Sequence, residues 1–192
     1  MPADLNVFPE SPCGVLVGRG VDPGPPGVAT ESQPWRLVPD AVVLNSTARD
    51  KSQLFHLAAT ELQRVYCVDP AVVLRALWRR ELAGSTALGE GIALPHARVA
   101  RIDRPVAALI RTANPIAFDA PDDAPVSLVL VLIVPADGDP DEHLHLLAQA
   151  TTLLSESHVR ERLRNAPDVR TVLRIFAEAP DRTSIEGRDG RR

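Results

Sequence analysis

The chain has 192 residues, enough for one core-forming domain with a surplus at one end. Twenty-one basic against twenty-five acidic side chains leave a formal net charge of -4. The arginines are scattered rather than clustered with aromatics, which argues against a nucleic-acid surface. Two cysteines far apart in sequence, Cys13 and Cys67, suggest neither a disulfide framework nor a thiolate metal motif.

Residues 1–35 are dense in proline and glycine, from Pro2 to Pro34, and hold no sustained helical or strand period. They are expected to form a disordered extension. Their one apolar cluster, Val15 to Val17, is too short to span a bilayer or to form a secretory core, so a cytoplasmic protein is expected, without membrane insertion. The predicted domain runs over 36–179. Leu54, Phe55, Ala58, Leu62 and Val65 recur at helical spacing, with Thr47 and Asp50 as a capping signal. Asp69-Pro70 starts a second helix, which ends before Gly84.

Val106 to Ile110 is a short strand candidate, and Val126 to Val134 is a stronger one. The latter is almost unbroken Leu and Val, as expected of a strand buried on both faces. Asp139-Pro140 repeats the helix-start signal and leads into Leu144, Leu147, Ala148, Thr151 and Leu154 as the buried stripe. Further helices are predicted over Ser157 to Arg164 and Asp168 to Glu178. Residues 180–192 form a charged tail expected to be flexible. The sum is an α/β domain, with helices covering the sheet on both sides.

Residues 84–97, GSTALGEGIALPHA, put His96 at the end of a glycine-spaced loop. Ile92, Ala93 and Leu94 anchor that loop in a core, while Pro95 restricts the backbone before the imidazole. A histidine held this way suits nucleophilic chemistry. The glycines permit close approach to a ligand or simply turn a surface loop, and spacing alone does not choose between these readings.

His143 sits in the first turn of the helix that follows the long strand, a common ligand position in open α/β sheets. His145 is two residues on and faces elsewhere, so one of the pair, His143, is expected to approach His96. His56 and His158 read as surface residues. A zinc site from His96, His143 and His145 lacks a well-directed third ligand, and no metal or cofactor is expected. Ser85 lacks the elbow motif of serine hydrolases.

GSTALGEGIALPHA resembles the phosphorylation-site motif of the IIA domains of the bacterial phosphoenolpyruvate-dependent phosphotransferase system, fructose/mannitol class. Two later segments agree, NPIAFDAPDDAPVSLVLVLIVPA at 114–136 and EHLHLLAQATTLL at 142–154, so the likeness covers about 38–178. IAFDA and the HLH triplet are similar to the nitrogen-related regulatory members, and no transmembrane permease or second carrier domain is seen alongside. A sugar-specific IIA subunit serving a separate permease IIB component is the alternative. A non-catalytic interaction module and a metal-dependent enzyme are alternatives of other classes.

The resemblance implies a mixed β-sheet covered by helices. It makes His96 the transiently phosphorylated residue, attacking through its distal ring nitrogen, His143 the second active-site histidine and Arg80 the active-site arginine. Ser85 and Thr86 match its small hydroxyl residues. The implied donor is HPr or a nitrogen-branch counterpart, and the implied outputs are regulated target proteins. Ala97 stands where many members have Gly. As chemistry, transfer requires a neutral imidazole with a free lone pair, and donors such as Arg80 and His143 to meet the charge on the phosphoryl oxygens. Ala87 and Leu88 are candidates for an apolar docking patch around His96.

Overall fold

The apolar run after Ser127 lies at the middle of the sheet in the computed structural model, which describes Trp35 and residues 37–178. Expectations for the rest of the extension and for the tail fall outside the described residues. In chain order the elements are strand β1 (Val42–Ser46), helices α1 (Lys51–Tyr66) and α2 (Pro70–Leu82), strands β2 (Ala87–Gly89), β3 (Ile92–Ala93), β4 (His96–Val99), β5 (Val106–Ile116) and β6 (Val126–Pro135), then helices α3 (Pro140–Ser155), α4 (Ser157–Asn165) and α5 (Val169–Glu178). A 3-10 turn, Pro39–Ala41, precedes β1.

The sheet order is β1-β5-β6-β3-β2, with β4 also on β6. β1 is parallel to β5, β5 antiparallel to β6, and β3 and β4 parallel to β6. The sheet is therefore mixed, as the resemblance implies. From Leu128 to Ile133 every residue of β6 is fully buried, and successive side chains of a strand point to opposite faces. Both faces of this strand are thus covered.

Local chemistry explains the helix starts. Asp50 caps α1 by accepting from Gln53 N at 2.8 Å, and Gln53 Oε1 accepts in return from Arg49 N at 3.0 Å. Thr47 is not the cap, because the helix begins one turn later than that reading requires. Asp69 and Asp139 cap α2 and α3 ahead of a proline in the first turn, as the sequence signals predict.

Several expectations need correction. β5 runs on to Ile116 rather than ending at Ile110, with its pairing to β6 irregular between Arg111 and Ile116. Trp35, assigned to the extension, is 1% exposed and joins the core with Leu37. The buried stripe of α3 is Leu146, Ala150, Leu153 and Leu154, while Leu144 is 62% exposed and Ala148 and Thr151 face outward. That helix carries leucines on more than one face, so spacing alone selects no unique stripe. The expectation for the two cysteines involves Cys13, which lies outside the described residues. No described helix is long and apolar enough to cross a membrane.

Candidate functional site

His96 is the first residue of β4 rather than the end of a loop. β3 and β4 run along the same edge of β6 in one register, Ile92 opposite Leu128 and His96 opposite Leu132. They are separated by Leu94 and Pro95. Proline has no N–H to give to a ladder, so the strand breaks there, yet Pro95 O still accepts from Leu132 N at 2.9 Å. The imidazole is thereby mounted on the central strand of the core. Ala97, next along, is buried and has no positive φ, so the position normally held by Gly is unstrained here.

The glycines turn the chain rather than open it. Gly89 pairs with Ile92 across a two-residue turn, Glu90-Gly91, with φ of 54° and 70°. These angles are those of a type I′ hairpin turn, whose twist suits the flanking strands. A Cβ on Gly91 would lie 2.9 Å from Arg164 Nη2 and 3.3 Å from Pro125 O. Asp122 clamps the same hairpin by accepting from Glu90 N at 2.7 Å.

Two hydrogen bonds determine the state of the His96 ring. Nδ1 is 2.9 Å from Leu94 O, an acceptor only, and so carries the proton. Nε2 is 3.0 Å from Arg80 Nε, a donor only, and so presents its lone pair. Arg80 Nη1 also donates to Gly84 O at 2.9 Å, which braces the guanidinium against the end of α2. Burial lowers the proton affinity of His96 below the ordinary histidine range. Arg80 and His143 lower it further, while the Leu94 carbonyl and Glu81 oppose them.

His143 stands beside His96 with ring centroids 5.9 Å apart and planes tilted by 51°. Its proton affinity is also lowered, by burial first and then by the Arg98 charge. Its Nδ1 is buried without a hydrogen-bond partner among the described residues. His143 also lines a cavity of about 320 Å³ with Arg98, Glu142 and Leu146. Arg98 shares the His96 side of β4, two residues on, and donates to Gly138 O. His145 is turned away and lies 3.2 Å from Gln149 Nε2.

The structure thus brings His96, His143 and Arg80 together. The two hydroxyl residues are engaged elsewhere: Ser85 Oγ donates to Phe118 O at 2.7 Å, and Thr86 Oγ1 to Glu81 Oε2 at 2.6 Å. Ala87 is buried in the core and so drops out of the expected docking patch, whereas Leu88 is 39% exposed. Sequence reasoning missed the exposed Leu144 beside His143. It also missed Glu81, which is buried and paired with Lys51 at 2.6 Å. A glutamate at a helix C-terminus opposes the helix dipole, a signal that such a residue has another duty.

Known proteins share this arrangement of strands and helices. The chain is 38% identical to a nitrogen regulatory protein of Pseudomonas aeruginosa over 133 residues, 69% of this chain and 84% of that one. It is 39% identical to the fructose-specific EIIA component of Haloferax volcanii over 110 residues, 57% and 71% of the two chains. The crystal structure of nitrogen regulatory protein IIA-Ntr from Neisseria meningitidis superposes with a TM-score of 0.68 at 37% identity, covering 72% of this chain and 94% of that one. Residues 37–179, the whole domain that carries the paired histidines, match the EIIA 2 family of the phosphoenolpyruvate-dependent sugar phosphotransferase system, and the chain belongs to that family.

Proposed function

We propose that the protein is a histidine phosphoryl carrier that accepts its phosphoryl group on His96 Nε2. The observation that carries this reading is the pair of bonds on the ring, Leu94 O on one nitrogen and Arg80 on the other. Together they hold a neutral imidazole with its lone pair on the distal nitrogen. In the transfer an Nε2–P bond forms as the N–P bond of a phosphohistidine donor breaks in line and its electron pair returns to the donor imidazole, while the proton stays on Nδ1, hydrogen-bonded to Leu94 O. Arg80 occupies the lone pair in the free protein, so it must move from Nε2 to a phosphoryl oxygen as the donor arrives. Its charge is then already in place where negative charge builds. His143, a ring's width away with an unpartnered buried nitrogen, supplies a second polar group for the same oxygens.

The donor in this reading is HPr or a nitrogen-branch HPr-like carrier, met in the cytoplasm. Leu88 and Leu144, exposed on either side of the paired histidines in sequence, supply apolar contact for it. The two nitrogen regulatory relatives support a regulatory output, in which phosphorylated and unphosphorylated forms bind target proteins differently. The fructose-specific relative supports a second reading, a IIA subunit that passes the group to a separate IIB component.

Incubation with a phosphorylated HPr-type carrier, followed by mapping of the acid-labile phosphate, tests the chemistry. Label is expected on His96, none in H96A, and slowed labelling in H143A with its melting temperature little changed. Label on another residue would refute the assignment. Onward transfer to a IIB component would select the second reading, and phosphorylation-dependent capture of a target protein the first.

A further inference from the structure

Glu81 is the most deeply buried acidic group of the described domain, with a side chain only 4% exposed and both oxygens used. Oε1 takes the Lys51 ammonium at 2.6 Å, and Lys51 is in turn held by Asp119 at 2.9 Å and lies 4.4 Å from the centroid of Phe118. Oε2 accepts twice from one residue, from Thr86 N at 3.1 Å and Thr86 Oγ1 at 2.6 Å. The first oxygen joins α1 to α2, and the second ties the segment after Gly84 to the same carboxylate. Here it fixes the residue from which the site is suspended.

From Thr86 the connection runs straight to the candidate nucleophile. Thr86 O accepts from Leu94 N at 3.0 Å, and Leu94 O accepts from His96 Nδ1 at 2.9 Å. Each link sets the position of the carbonyl used by the next. Three steps therefore join the Glu81 carboxylate to the nitrogen opposite the one that attacks. Arg80, the neighbouring residue on α2, holds that attacking nitrogen. Of two consecutive residues of one helix, Arg80 thus meets one side of the imidazole directly and Glu81 reaches the other through Thr86 and Leu94.

We propose that Glu81 is a positioning residue for phosphoryl transfer, which holds His96 in its Nδ1-protonated tautomer through Thr86 and Leu94. The proposal rests on His96 being the phosphoryl acceptor. Outer-shell partners of this kind orient an imidazole and select its tautomer, as they do for metal-bound histidines. The charged groups around the His96 ring are Arg80 and Glu81 from α2 and, when protonated, His143 from α3; of these, Glu81 alone favours the protonated ring.

The test is the E81Q variant of the full chain, labelled with nitrogen-15 in its imidazoles. Expected are a smaller preference for the Nδ1-protonated tautomer, a lower His96 pKa, and a transfer rate from a phosphorylated HPr-type carrier reduced roughly tenfold with unchanged KM. Wild-type ring signals and rate in E81Q would overturn the proposal. So would a slowed rate with an unaltered tautomer, which is the mark of a purely structural role. If E81Q fails to fold, K51M/E81Q removes the pair without stranding a buried charge and must show the same ring signals; a wild-type ring pattern in it overturns the proposal. The ring signals are read without phosphate, so a wild type unlabelled at His96 would refute the carrier function separately.

Discussion

Replacing Arg80 with Met removes the guanidinium that donates to His96 Nε2 at 3.0 Å and to Gly84 O at 2.9 Å, while keeping much of the stem that packs at the end of α2. The two bonds are not equivalent. The one to Gly84 O is exposed, and its loss costs about 1 kcal/mol of folding stability. In the proposed transfer the one at Nε2 is exchanged for contact with the phosphoryl oxygens, where loss of a positioned donor costs roughly 3–4 kcal/mol of barrier, about 10²–10³ in rate. The kinetic loss should therefore far exceed the loss of stability. Arg80 also lowers the proton affinity of His96, so R80M should carry a higher His96 pKa and an acid limb displaced to higher pH. Rapid-quench transfer from a radiolabelled HPr-type carrier, with a melting curve and an imidazole titration alongside, measures all three. A rate within about threefold of wild type, roughly 0.7 kcal/mol, would refute the argument. A faster rate would show that Arg80 chiefly masks the lone pair.

Other consequences are independent of that one. His96 and His143 both have proton affinities lowered mainly by burial, so the unfolded chain takes up protons first as the pH drops. Stability should be fully present above the ordinary histidine value of about 6.5 and decline below it toward the lowered folded values. Denaturant titrations at stepped pH should show a shallower decline in H96Q, and identical slopes would contradict this. L144D should raise the apparent KM for the phosphorylated carrier with little effect on melting, because Leu144 is 62% exposed; an unchanged KM would remove it from the docking surface. G91A should lose about 1–3 kcal/mol, since φ is 70° and the added Cβ meets Pro125 O at 3.3 Å. Equal denaturation midpoints would show that the turn relaxes freely.

The parts legible in advance were those with local causes. Asp-Pro pairs announce α2 and α3 because Asp caps and Pro needs no donor at the first helical position. The divergence of His143 from His145 follows from helix geometry, and His145 does point away. Periodicity was less informative where apolar residues crowd every face. For that reason spacing points to Leu144 where the structure buries Leu146. The hairpin at residues 87–93 was invisible as strands, because segments of two or three residues are too short to show an alternation.

From its residues alone, this protein shows an α/β domain with a proline-braced histidine and a second histidine at a helix start. Its motifs, in their order, point to the family. The tertiary structure decides the arrangement at the level of atoms: which nitrogen of His96 faces a carbonyl, that Arg80 rests on the other, and that Glu81 is bound into the same network. Those facts depend on hydrogen bonds between α2, β4 and the segment after Gly84, and Arg80 and His96, 16 positions apart, come together only when β4 is laid on β6. A helix start is specified by its neighbours in sequence, whereas a tautomer is specified by neighbours in space.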